Sequence, residues 1–453
     1  MTFERKIYKK LLDWKNESNG NKALLVEGAR RIGKSTIVSE FAKNEYESYL
    51  LIDFSIASDD VKKYFVKHIK DLDTLFMLLE AEYNVELKRR KSLIIFDEVQ
   101  FCPKAREAIK HLVQDGRFDY IETGSLISVK ENVSGILIPS EERHIRMFPL
   151  DFEEFLWALN EKPLANLIRK FFNELTPLPN QLHEKAMLLF RQYMLIGGMP
   201  KSIVEFLSND RSFKKANDEK NDILNLYRSD IMKISSPYKN KVAAVFDQIP
   251  GFLSQHEKRV IFNKIIEGSK FDNYKDTFFW LSDSQITNDC FLCNDPNVGL
   301  SLNEDRTYIK CYMGDTGLLF THAFNDNEII DNNLYKEILT GDLAINNGML
   351  FENVIAQTLV ANGYKLYFYT HYSEEKHRND IEIDFIISNN SKINYTIFPI
   401  EVKSGKKYQT KSLDKFIEKY KERIGGAYII HPKNLTKKEN GIICIPSYMA
   451  FCL

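Results

Sequence analysis

The sequence predicts an α/β protein with chemistry at both ends of the chain, and three observations carry that prediction. Residues 24–36 read LLVEGARRIGKST, a short apolar run entering a glycine loop that ends in Gly-Lys-Ser. Residues 93–100, LIIFDEVQ, close a second apolar run with two acids. Residues 381–387 and 398–402, IEIDFII and FPIEV, set Asp384 and Glu401 in two further runs, the second followed by Lys403. Short apolar runs bounded by turn signals read as buried strands, and apolar residues three and four apart read as helices.

In chain order, the first element is an amphipathic helix with Ile7, Leu11 and Trp14 on one face and lysines on the other. The strand from residue 23 follows, and then a phosphate-binding loop for a nucleoside triphosphate, read here as ATP. In that loop Gly28 and Gly33 permit the tight turn, so that the N–H groups of Ala29, Arg30, Arg31, Ile32 and Thr36 and the start of the next helix face the phosphates. Lys34 would reach the β- and γ-phosphates and Ser35 would hold Mg²⁺. Arg30 and Arg31 either flank the phosphates or solvate the rim of the loop. At the end of the second strand, Asp97 would take the Mg²⁺ and Glu98 would polarise the attacking water. A third strand, residues 120–122, runs into Thr123-Gly124-Ser125, and spacing leaves both Thr123 and Ser125 open as the hydroxyl beside the γ-phosphate. Arg143 and Arg146 are each read as an arginine finger or a surface charge.

Composition suits a multidomain cytoplasmic protein. The chain has 453 residues, 44% of them hydrophobic, which suffices for several cores. Its first residues, MTFERKIYKKLLDW, contain no apolar run and predict neither a signal peptide nor a membrane span. Six cysteines are scattered, and the close pair Cys290 and Cys293 reads as core thiols, since no second pair completes a zinc set. A net charge of −1 argues against a protein coated in nucleic acid, although residues 403–424 are locally basic.

The central region reads as helices: residues 152–157, 164–172 and 182–194 as a lid, a break at Gly197-Gly198-Met199-Pro200 as a hinge, then 214–234 and 241–253. Strand-like pieces at 291–293 and 307–313 suggest a wing. Near the end of the chain, Glu401 and Lys403 share one face of a strand because side chains two apart point the same way. With Asp384 they form a pocket in which the carboxylates hold Mg²⁺ and Lys403 orients a water, while Glu352, on a helix starting near Met349, offers a third carboxylate. That is the chemistry of a metal-dependent phosphodiesterase.

The motifs EGARRIGKST, LIIFDEVQ, MFPLDFEEFLWAL, YMLIGGMPKSIVEF, GDTGLL, LFENVIAQTL and IEVKSG, in this order, resemble one group of prokaryotic AAA-type ATPases. Its members join a P-loop domain, through a winged-helix region, to a restriction-endonuclease-like domain of unassigned function. The resemblance implies an AAA-type core over 1–150, a helical lid over 151–200, a helical and winged-helix region over 201–324 and a small α/β endonuclease-like domain over 325–453. It places Glu352, Asp384, Glu401 and Lys403 at the PD-(D/E)XK positions. Many relatives carry Gly-Arg before the Pro-Leu motif where this chain has SEERHIRMFPL, which leaves the finger open. Two function classes follow. One is an ATPase whose nuclease-like domain binds or cleaves nucleic acid, DNA ahead of RNA. The other is an ATP-dependent switch or scaffold working through a second copy or a partner protein.

Overall fold

The computed structural model describes residues 2–124, 140–234, 238–265, 270–324, 332–341, 347–375, 377–389 and 396–453. Ser125 and the start of the domain expected over 325–453 lie outside them. The chain divides into two compact units, Met1–Phe148 and Pro149–Leu453.

The first unit is built on five parallel strands: β1 (Ala23–Glu27), β2 (Ser48–Asp53), β3 (Ser92–Asp97), β4 (Asp119–Gly124) and β5 (Glu142–Arg146). Their order is β2-β3-β4-β1-β5. Every residue of β1, β3 and β4 is buried, which explains why β1 and β3 read as apolar runs rather than alternating ones. Phe54, Phe65 and Phe96 meet edge to face in the core beside the sheet. The first helix, Ile7–Ser18, buries Ile7, Leu11 and Trp14 as its spacing predicts, and Trp14 donates its indole N–H to the Lys22 carbonyl at 3.0 Å.

In the second unit, helices Phe152–Ala158, Lys162–Asn173, Asn180–Ile196, Pro200–Ser208, Phe213–Met232 and Tyr238–Leu253 precede a mixed eight-stranded sheet. Its strands are β6 (Thr287–Cys293), β7 (Glu304–Met313), β8 (Leu366–Ser373), β9 (Arg378–Asn389), β10 (Thr396–Val402), β11 (Tyr428–His431), β12 (Thr436–Lys437) and β13 (Ile443–Pro446). The order is β12-β13-β11-β10-β9-β8-β6-β7. The hairpin expected as a wing is β6 and β7. It pairs antiparallel as a wing does, but β6 also runs parallel to β8, with Phe291 opposite Tyr367. The hairpin is therefore part of the sheet, which crosses the boundary expected at residue 325. Cys290 and Cys293 are buried free thiols of β6.

The expected hinge is a packed junction. A Cβ at Gly198 would lie 2.1 Å from the Leu150 carbonyl oxygen, and one at Gly317 would lie 2.5 Å from the Gly197 nitrogen. Asp315 accepts from the Gly198 N–H at 2.6 Å, and Gln357 donates to the Tyr193 hydroxyl at 2.9 Å, which itself donates to Leu150 at 2.7 Å. Lys220, fully buried, donates to the carbonyls of Leu195 and Gly317, and burial pushes its ammonium down to about 7. Leu150, Gly197, Gly198, Asp315 and Gly317, far apart in sequence, thus meet in one knot.

Candidate functional site

The loop after β1 has the geometry that phosphate binding requires. Gly33 has φ +91° and caps the helix Lys34–Glu45, and Arg31 is also left-handed at φ +68°. Gly28 is needed for close approach, because a Cβ there would lie 2.6 Å from the Met147 carbonyl oxygen. Lys34 is buried and donates to the carbonyls of Gly28 at 3.0 Å and Ala29 at 2.9 Å. Burial pushes its ammonium down to about 8, against the opposing pull of Glu98 and Asp97.

β4 lies between β1 and β3, which brings three side chains to one point. Ser35 Oγ donates to Asp97 Oδ1 at 2.8 Å, and Thr123 donates to the same oxygen. Thr123 thus lies against Asp97, while Ser125, the other candidate for the hydroxyl beside the γ-phosphate, lies outside the described residues. Both donors are neutral hydroxyls, so Asp97 keeps its charge for a cation, and hard oxygen ligands suit Mg²⁺. Glu98 follows in the left-handed region at φ +51°, with its N–H on Thr123 Oγ1 at 3.3 Å. A bulky residue held there stores strain of the kind found at functional sites. The Gln100 amide, missed in the sequence although it closes the same motif, donates to the Glu98 carboxylate. Arg143 sits beside Leu24 in mid-strand and donates to Glu17 at 2.7 Å with both side chains exposed. That pairing draws it to the surface. Arg146, at the carboxyl end of β5 beside Glu27, is the one level with the loop.

The expected metal pocket of the second unit takes a different form. Among the described residues no group of three or more His, Cys, Asp or Glu side chains is placed to hold a metal ion. Glu352, on the helix Asn347–Ala361, is buried and bound by two cations and a hydroxyl: Lys258, Lys310 at 3.2 Å and the Tyr312 hydroxyl all donate to it. Burial alone would raise its carboxyl, yet Lys310 and Lys258 hold it well below the usual range. Asp384 accepts from the Val402 N–H at 2.8 Å and lies 4.0 Å from Lys310; burial and the Glu352 charge push its carboxyl up. Glu401 pairs with Lys403, as the strand alternation predicts. Burial pushes Glu401 up to about 7 against the pull of Lys403, and its second oxygen is buried with no hydrogen-bond partner. Lys258, Lys310 and Tyr312 come from segments far upstream of the acids, so no local spacing announces them.

Residues 20–156 match the family model described as an AAA domain. The first unit is an AAA-type P-loop ATPase domain. Residues 187–328 and 347–449 match two further family models, each described as a domain of unknown function. The chain is 24% identical to an uncharacterized protein of Haemophilus influenzae, over 33% of this chain and 37% of that one. It is also 24% identical to an uncharacterized protein of Methanocaldococcus jannaschii, over 44% of this chain and 42% of the other. The matched part thus spans less than half the length of either relative. Among solved structures, a Walker-type ATPase of Pyrococcus abyssi aligns over 71% of this chain and 96% of its own, at 15% identity and TM-score 0.40. The ORC2 protein of Aeropyrum pernix in its ADP form aligns over 75% and 93%, at 10% identity and TM-score 0.25.

Behind its loop, the AAA domain carries a buried polar cluster that the sequence did not advertise. Arg106 of the helix Pro103–Asp115 is buried against Glu142 at 3.1 Å. His144 bridges Glu142 at 2.9 Å and Glu27 at 3.0 Å, and these bonds push its imidazole up to about 10 although half the ring is exposed. Glu122, wholly buried beside Glu142, is pushed well up by burial and that neighbouring charge. Glu27 directly precedes Gly28, which ties the cluster to the loop. Among the described residues, no helix is long and apolar enough to cross a membrane.

Proposed function

We propose that this protein is a Mg²⁺-dependent ATPase whose C-terminal unit binds nucleic acid, DNA ahead of RNA, under control of the nucleotide state. The observation that carries the ATPase reading is the hydrogen-bonded set of Ser35, Asp97 and Thr123, with Glu98 next in the chain. ATP would lie against the N–H groups of the loop and the Lys34 ammonium, with Ser35 and Asp97 holding the Mg²⁺ that offsets phosphate charge. Glu98 orients and polarises the attacking water once the Gln100 amide releases it. The test is ATP turnover by wild type and Lys34→Ala. Loss of about a hundredfold or more is expected on removing a cation from the phosphates, and unchanged turnover would sink the assignment.

A second reading, cleavage of nucleic acid, is favoured by the unpartnered Glu401 oxygen beside Lys403 and opposed by the lysines on Glu352. Asp384 and Glu401 would be the metal-holding pair, with Lys403 positioning water. A panel of single- and double-stranded DNA and RNA with Mg²⁺ or Mn²⁺, with and without ATP, separates the readings. Cutting by wild type that Lys403→Ala loses establishes a nuclease; binding without cutting leaves the nucleotide-controlled switch.

A further inference from the structure

We propose that a cavity beside the carboxylate cluster of the second unit receives one unstacked nucleotide of a single-stranded nucleic acid. This deepens the nucleic-acid reading above and rests on it. The cavity, about 600 Å³, opens between β7 and the segments around residues 259–263 and 270–272. Its volume is that of a site for a small ligand or a single nucleotide unit.

Alternation along β7 sets Lys310 and Tyr312 on one face, and Tyr308 stands just before them, where the pairing with β6 steps from Ile309 to Asp305. Lys310 and Tyr312 run inward to Glu352, whereas Tyr308 stands 43% exposed in the cavity. A nucleotide seated on Tyr308 would lie two residues along the chain from Lys310, which reaches Glu352 and Asp384.

The opposite wall is fixed by the Val260 N–H, which donates to the Ile309 carbonyl at 2.8 Å and holds its segment along β7. Arg259 thereby lies over the Tyr308 ring, its guanidinium carbon 5.5 Å from the centroid. Phe262 and Phe271 meet edge to face at 5.9 Å and give the cavity a second aromatic surface. The charged lining is Arg259, Lys270 and Asp272, and Arg259 also pairs with Glu257 at 2.7 Å, so the aromatic faces rather than a net charge carry the site. Aromatic faces accept the π-face of any base, while guanidinium and ammonium groups take the phosphate. A base inside a duplex cannot reach such a floor without leaving its stack, which selects single strands.

The test is fluorescence anisotropy of the full chain with short labelled single-stranded DNA and RNA, for wild type, Tyr308→Phe, Tyr308→Ala and Arg259→Ala. Circular dichroism checks that each variant is folded. Wild type and Tyr308→Phe should bind alike, and Tyr308→Ala should bind about ten- to a hundredfold more weakly, the range for losing one stacked base. Arg259→Ala should weaken binding and flatten its salt dependence. If wild type binds strands and Tyr308→Ala binds equally well, the cavity assignment falls and the nucleic-acid reading stands. If wild type binds no strand, that reading falls and takes this one with it. A nucleoside monophosphate displacing the strand at its own dissociation constant would overturn the strand in favour of a free nucleotide.

Discussion

Asp97 in the first unit and Glu352 in the second are both buried carboxylates that accept from more than one side chain, yet their partners differ in kind. Ser35 and Thr123 satisfy Asp97 with neutral hydroxyls. Lys258 and Lys310 meet Glu352 with ammonium groups and cancel its charge. A hydroxyl fills a lone pair and leaves the charge available, whereas a lysine consumes it. Two acid sites that look alike in sequence can thus differ in cation affinity.

Four experiments break or sharpen that contrast. Glu98→Gln keeps the shape and hydrogen bonds of the first site while removing the charge that polarises water. Turnover should fall by about a hundredfold or more, with ATP binding retained in an equilibrium assay; lost binding would mean that Glu98 holds the loop rather than the water. Lys310→Met leaves Glu352 and Asp384 buried with less compensation. The second unit should lose about 3–5 kcal/mol in denaturant titration, and Mn²⁺ should bind the variant more tightly than wild type; unchanged Mn²⁺ affinity would break the comparison. Thr123→Val removes one neutral donor from Asp97, worth about 1 kcal/mol, so the Mg²⁺ needed for half-maximal turnover should rise about fivefold.

The smallest effect concerns pH. His144 is held at about 10 by Glu142 and Glu27, above its usual value. Because the folded value is raised, its contribution is whole below about pH 6.5 and lost as pH climbs through about 10. The unfolding midpoint of wild type should therefore decline across that window. His144→Gln should flatten the decline, and an equally steep fall in the variant would place the titration elsewhere.

The first site was nearly all legible because its parts are contiguous: loop, lysine and serine lie within nine residues, and Asp97 and Glu98 end one strand. What spacing could not show there was the partner of Arg143, since the exposed Glu17 that pairs with it lies on the first helix. In the second unit Glu401 and Lys403 were found by two-residue alternation. Their surroundings were not, because Lys258 and Lys310 lie 94 and 42 residues before Glu352 in sequence. The strands β6 and β7 read correctly as a hairpin, but nothing local says which sheet a hairpin joins. That depends on β8, which meets β6 only after the chain has passed through several helices.

That pairing bears on how the protein can be taken apart. A fragment begun after β7 would leave β8 with a bare row of backbone donors and acceptors where β6 belongs. Such an open edge recruits strands from other molecules, so the fragment should self-associate more strongly than one that keeps β6 and β7. A cut before β6 keeps the seam closed, and the useful dissection point follows the continuity of the sheet rather than a polar stretch of sequence.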